Sequence, residues 1–99
     1  MTTIEILKNA RELLSDPAHW MKQGSNALHV EDATSFCTWH AICRVATVGA
    51  AYKARHSILS ALGFVFFSQL FDWNDAPERT HAEVLQRFDE AIARLEAAG

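Results

Sequence analysis

Residues 34–55 restrict the fold more than any other segment, because they are apolar on nearly every side of a helix. At about 100° per residue, apolar side chains fall on two separate sides of this segment. One side carries Phe36, Trp39, Cys43, Ala46 and Ala50, and the other carries Ala41, Val45, Val48 and Tyr52. A helix of this kind has to be surrounded by other helices. The segment therefore predicts an all-α bundle with residues 34–55 at its centre.

Three further segments show helical spacing of apolar residues, and they predict the helices that surround the central one. The last of these segments begins with a capping box, in which Thr80 and Glu83 each bond the backbone amide of the other. Apolar residues then follow at intervals of three or four positions. We predict a compact bundle of four main helices, at about 4–14, 34–55, 58–72 and 80–97.

The segment between the first two predicted helices lacks both helical and strand periodicity. Residues 17–33 contain Gly-Ser-Asn, and we expect an ordered loop that Trp20 and Leu28 pin to the core. Pro17 ends the first helix, because the residue before a proline avoids the helical conformation. Ser57 is the predicted cap of the third helix. No Gly or Pro enforces the break near Ser57, so one long kinked helix is an alternative.

Composition restricts the class of protein. The 99 residues suffice for one domain, and a net charge of −3 argues against binding to nucleic acid. The longest apolar run, residues 58–71, is shorter than the roughly 20 residues that cross a bilayer, and there is no signal-peptide core. Cys37 and Cys43 would lie about 9 Å apart along a helix, beyond disulfide reach. We expect a cytoplasmic protein with free thiols and no membrane contact.

Cys37 is the residue that best suits nucleophilic catalysis. We predict it in the opening turn of the second helix, where the helix dipole stabilises a thiolate. His40 or His81 would then serve as the base, and Asn74 or Asp75 as the group that orients it. Free cysteines are often buried as small hydrophobic residues, and we favour that structural interpretation.

The turn that follows the third predicted helix is a second candidate site. Asn74 and Asp75 suit a turn, because their side chains bond nearby backbone amides. A turn does not require a Trp, however, so Trp73 is a candidate binding residue, together with Arg79 and Arg44. The five His and two Cys show none of the spacings of metal ligands, and we predict neither a metal site nor a cofactor.

The third predicted helix has two apolar sides. The core-facing side carries Ile58, Leu59, Leu62, Phe66, Leu70 and Trp73. Phe64, Phe67 and Phe71 form the other, and we expect the last helix or a second protein chain to cover it. The expected function is a domain that self-associates, for example as a dimer, or binds a protein partner. The alternative is a cysteine-dependent hydrolase or transferase with Cys37 as the nucleophile.

Three blocks of the sequence resemble a family of small bacterial and phage-encoded helical proteins of unknown function. The blocks are DPAHWMKQGSNA (16–27), SFCTWHAICRV (35–45) and WNDAPERTHAEVL (73–85). The matching signature positions are Cys37, Trp73, Asn74, Asp75, Arg79, Thr80 and Glu83. The middle block departs from the family pattern, since His40 stands where a Gly is usual and Phe36 where a Trp is frequent. The resemblance implies an all-helical domain without a known activity.

Overall fold

The computed structural model describes residues 1–99, and its regular elements are all helical. The helices are α1 (Thr3–Leu13), α2 (Thr38–Ala46), α3 (Val48–Lys53), α4 (Arg55–Leu62), α5 (Phe67–Asp75) and α6 (His81–Ala98). Two 3₁₀ turns, Pro17–His19 and Val30–Asp32, lie between α1 and α2. The prediction of an all-α protein is confirmed. The predicted count of four main helices is wrong, because two of the predicted helices are each broken once or more.

Helix α2 lies at the centre of the structure. It contacts α1, α3 and α5, while α6 packs on α1 and α4. Six of the nine residues of α2 are buried, whereas α3 buries only Ala51. The predicted central position therefore holds for the first half of the 34–55 segment. The second half lies nearer the surface, because the chain changes direction after Ala46.

The break in the predicted 34–55 helix lies at Thr47, whose φ of 67° and ψ of 155° belong to a region that is almost restricted to glycine. Its hydroxyl accepts a hydrogen bond from the amide of Ala50 at 3.3 Å and so caps α3. The start of α2 also differs from the prediction. The side-chain oxygen of Asn26 accepts hydrogen bonds from the amides of Thr34 and Ser35. These bonds keep both residues out of the helix.

Thr47 should tolerate glycine better than alanine. Alanine removes the capping hydroxyl and keeps the strained backbone, whereas glycine adopts a positive φ without steric cost. We expect Thr47→Gly to unfold with a free energy about 1–2 kcal/mol higher than Thr47→Ala, although alanine is the better helix former. Urea denaturation of the two variants measures this difference. Equal free energies of unfolding for the two variants would contradict backbone strain at Thr47.

The break in the predicted 58–72 helix lies at Gly63, which ends α4 in the left-handed conformation with φ of 91°. The amides of Gly63 and Phe64 bond back to the last turn of α4, as in other glycine-terminated helices. Ser57 does not cap a helix, because α4 already begins at Arg55. Helices α3 and α4 meet at the single residue Ala54.

The long connection between α1 and α2 is ordered, as predicted, but Leu28 does not pin it, since its side chain is 94% exposed. Backbone hydrogen bonds hold the connection instead. The amide of Phe36 donates to His19, and the carbonyl of Phe36 accepts from Met21. The Phe36 side chain is buried in the core, so the connection is anchored at its far end.

The capping box at the start of α6 is confirmed. The Thr80 hydroxyl accepts from the Glu83 amide at 3.3 Å, and Glu83 Oε1 accepts from the Thr80 amide at 2.9 Å. The bond from the Thr80 amide, followed by a bond that the Thr80 hydroxyl donates to Glu83 Oε1 at 3.1 Å, lowers the pKa of the Glu83 carboxyl. Thr2 and Glu5 form a second capping box at the start of α1. Neither α6 nor any other helix combines the length and the apolar character that a membrane crossing requires.

Candidate functional site

The side chain of Asn74, at the end of α5, is buried and joins three parts of the chain. Its Oδ1 accepts from Trp20 Nε1 at 2.9 Å, from the Thr38 amide at 3.0 Å and from the Thr38 hydroxyl at 2.7 Å. Its Nδ2 donates to the Met21 carbonyl at 3.3 Å and to Asp75 Oδ1 at 2.9 Å. These bonds use the full hydrogen-bonding capacity of the amide. Asn74 therefore has no free group to offer a ligand.

Asp75 extends this network to the connection between α1 and α2. Its Oδ1 accepts from the Gln23 amide at 2.8 Å, and the ammonium group of Lys22 donates to the Pro77 carbonyl at 3.0 Å. We name the group formed by Trp20, Thr38, Asn74 and Asp75 the Asn74 clasp. The clasp holds the connection against the end of α5 and the start of α2. Asn74 and Asp75, the turn residues predicted as part of a candidate site, thus have a structural role.

Trp73 lies beside the clasp and is packed by two arginines. The guanidinium carbons of Arg79 and Arg87 lie 4.5 Å and 4.9 Å from the centre of a Trp73 ring, within the range of cation–π attraction. Arg79 also donates from Nε to the Trp73 carbonyl at 2.8 Å and from Nη1 to Glu83 at 3.2 Å. Trp73, which the turn alone did not explain, therefore connects α5 to α6 and to the residues just before it through its contacts with the two arginines.

Cys37 is the N-cap of α2, and only 1% of its surface is exposed. Its sulfur accepts a hydrogen bond from the amide of His40 at 3.4 Å. Burial raises the pKa of the Cys37 thiol, and the charge of Asp75 raises it further, which is the opposite of the shift that activates a nucleophile. His81 does not join Cys37, because its Nε2 donates to the Leu14 carbonyl at the end of α1.

Both thiols are free, as predicted, and we expect both to alkylate slowly. Burial raises the pKa of Cys43 to about 11 and shifts that of Cys37 in the same direction. Because only the thiolate reacts, iodoacetamide at neutral pH should modify Cys43 roughly a hundredfold more slowly than free cysteine, and Cys37 more slowly than free cysteine as well. Labelling in concentrated urea is the control and should proceed at ordinary rates. Fast, selective modification of Cys37 would favour the cysteine-dependent alternative.

A cleft of about 410 Å³ lies between the second 3₁₀ turn, α2 and α3. Its lining includes Leu28, Trp39, His40, Val48, Tyr52 and Phe71. None of the clasp residues lines it. Burial lowers the pKa of His40, so this imidazole is neutral at pH 7, and its Nδ1 has no hydrogen-bond partner. Arg44 lies in an adjoining groove and makes no ion pair.

Four aromatic side chains pack together beneath this surface. Phe67 lies 4.7 Å from Trp39, 5.6 Å from Tyr52 and 6.3 Å from Phe71, measured between ring centres. We name these four residues the aromatic cluster. Phe64 is not part of it. The predicted face of Phe64, Phe67 and Phe71 does not form, because Phe64 precedes α5 and is turned away by the break at Gly63.

Five of the six exposed large hydrophobic residues line a cavity together with residues of the aromatic cluster, and one of the five, Tyr52, belongs to the cluster; the sixth is Met1. Leu28, Val48 and Tyr52 line the cleft together with Trp39 and Phe71, two further members of the cluster. Val65 and Phe66 line a smaller pocket together with Phe67. Phe66, predicted to face the core, is 64% exposed because it lies in the turn before α5. We name these five residues, Leu28, Val48, Tyr52, Val65 and Phe66, the apolar strip.

Comparison with known proteins provides a family and no activity. A family model with the description "Family of unknown function (DUF6197)" matches residues 1–94, nearly the whole chain. No curated protein and no solved structure matches the chain.

Proposed function

Given that the chain belongs to this family of unknown function, DUF6197, we propose that it is a non-catalytic binding domain that self-associates through its apolar strip. The strip is the observation that carries this proposal. Single exposed hydrophobic residues are common on protein surfaces, but a connected group of them is typical of an interface. Here the five residues are connected through the aromatic cluster, because Tyr52 belongs to it and the other four line a cavity together with at least one of its members.

The polar residues of the chain supply no competing catalytic arrangement. The Asn74 amide is saturated by five hydrogen bonds within the protein. Cys37 is buried with a raised pKa, and His81 is held at the end of α1. These contacts argue against the cysteine-dependent alternative. Association through the strip would remove apolar area from water, which favours a complex.

We expect the protein to form dimers whose fraction increases with concentration. Size-exclusion chromatography with light scattering, from low to high micromolar protein, measures this directly. Val65→Glu places a charge in the strip and should yield a monomer, because Val65 is 69% exposed and its loss leaves the core intact. The matched control is Ala93→Glu, which adds the same charge to an exposed position of α6. A parent protein that is monomeric at every concentration would exclude self-association.

A further inference from the structure

The two ends of the apolar strip differ in form, because one end is a cleft and the other is an exposed aromatic side chain. At one end lies the cleft of about 410 Å³, with Leu28 and Val48 at its edge. At the other end Phe66 projects into solvent beside Val65. The aromatic cluster connects the two ends, since Tyr52 and Phe71 line the cleft while Phe67 lines the pocket next to Phe66. One copy of the chain thus carries both an aromatic projection and an aromatic-lined cavity on the same strip.

We propose that Phe66 of one copy inserts into the cleft of a second copy, and that a twofold axis repeats the contact. This inference rests on the proposed self-association and names the residues that perform it. A twofold interface uses the same surface on both subunits, so a projection and a cavity at opposite ends of one strip meet in both places at once. The occupant of the cleft is then a second copy of this chain.

The cleft suits a phenyl ring in size and in lining. A cavity of about 150 Å³ is enough to hold benzene, so the cleft accommodates Phe66 and part of Val65. Trp39, Tyr52 and Phe71 are among its lining residues, and offset or edge contacts between rings contribute beyond the area they bury. His40, the polar ring in the lining, is neutral at pH 7 and imposes no charge on an apolar occupant.

The position of Phe66 is set before association. The amides of Val65 and Phe66 both donate to Gln69 Oε1, at 2.8 Å and 3.0 Å. Gly63 fixes the preceding turn in the left-handed conformation. A side chain presented on an ordered turn loses less conformational entropy on binding than one on a loose loop. The projection is therefore preorganised for the cavity.

The charges at the two ends of the strip are complementary. Glu31 lines the cleft, and Asp32 follows it in the same 3₁₀ turn. These two acidic residues outnumber the one basic residue nearby, Arg44 of the adjoining groove. Arg55 and His56 line the pocket beside Phe66. A twofold arrangement brings the acidic end of each copy against the basic end of the other. Such complementarity favours a second copy over an unrelated partner.

The inference is tested by removing the projection and the cavity in separate variants. Phe66→Ala deletes the projection and keeps the cleft, while Val48→Glu places a carboxylate in the cleft and keeps the projection. Each variant alone should weaken dimerisation at least about thirtyfold, the effect of losing a central aromatic contact. Sedimentation velocity of the separate variants measures this loss. Ser68→Ala, an exposed neighbour on α5, is the control and should dimerise like the parent.

Mixing the two variants provides the decisive measurement. A heterodimer keeps one intact contact, with Phe66 from the Val48→Glu chain inserted into the cleft of the Phe66→Ala chain. We expect the mixture to dimerise more strongly than either variant alone. A charge exchange provides a second test, in which Arg55→Glu weakens the dimer and added Glu31→Arg restores it.

The outcomes separate this inference from the proposed function. A dimeric parent whose Phe66→Ala variant is equally dimeric, or variants that fail to complement on mixing, would overturn the insertion of Phe66 and leave self-association standing. A monomeric parent would overturn both. Circular dichroism of each variant confirms that the helices are retained, so a lost dimer reports on the interface.

Discussion

Replacing Asn74 with alanine is expected to lower the free energy of unfolding by about 3–5 kcal/mol, which a single urea titration resolves. The variant leaves the Trp20 indole N–H and the amide and hydroxyl of Thr38 without their acceptor. Two of these three donors are buried, and each unpaired buried donor costs about 1–3 kcal/mol. The melting temperature should fall accordingly.

Asn26→Ala is the matched control for this prediction. Asn26 also bonds three groups through its side chain, namely the amides of Thr34 and Ser35 and the Thr34 hydroxyl, but it is exposed. Water replaces the lost acceptor there, so the cost should be about 1 kcal/mol. A cost at Asn74 no larger than at Asn26 would show that the Asn74 clasp does not hold the connection in place.

Phe88→Ala is expected to lower the free energy of unfolding by about 3–5 kcal/mol for a different reason, because it creates a cavity in the core. Phe88 is fully buried on α6, between the buried residues Val84 and Ala91. Phe66→Ala makes the same chemical change at an exposed position and should cost less than about 1 kcal/mol in the monomer. Thermal and urea unfolding of the pair at low protein concentration measure both effects.

The Phe88 and Phe66 pair also separates stability from association. Loss of Phe88 should destabilise each protomer, whereas loss of Phe66 should leave the protomer stable and weaken only the dimer. Similar unfolding free energies for the two variants would contradict the buried position of Phe88 or the exposed position of Phe66. The expected contrast would show that Phe66 is not a core residue, and the change in dimerisation would report on the interface.

The sequence predicted the helices whose ends are defined by local chemistry. Thr80 and Glu83 lie three positions apart, so their mutual capping can be recognised without knowing the rest of the fold. The breaks at Thr47 and Gly63 were not predicted. A threonine is unremarkable within a helical pattern, and nothing in the neighbouring sequence indicates its positive φ. Gly63 could equally have been a point of close helix contact.

The candidate site was predicted in part. Trp73 was recognised as more than a turn requires, while Asn74 and Asp75 suited the turn itself, and the structure shows the contacts of all three. Their partners were not predictable, since Trp20 and Gln23 lie more than fifty positions away in the chain. The exposed position of Phe66 was missed because a continuous helix through residues 58–72 would have placed it toward the core.

The sequence by itself determined the all-helical class, the first and last helices, and two cysteines that form no disulfide. These properties follow from spacing and capping between residues that are close in the chain. Only the tertiary structure decided that Cys37 is buried, that Asn74 fastens a distant connection, and that Phe66 faces solvent. Each of these depends on where the chain turns and on what packs against it, and contacts between distant residues determine both.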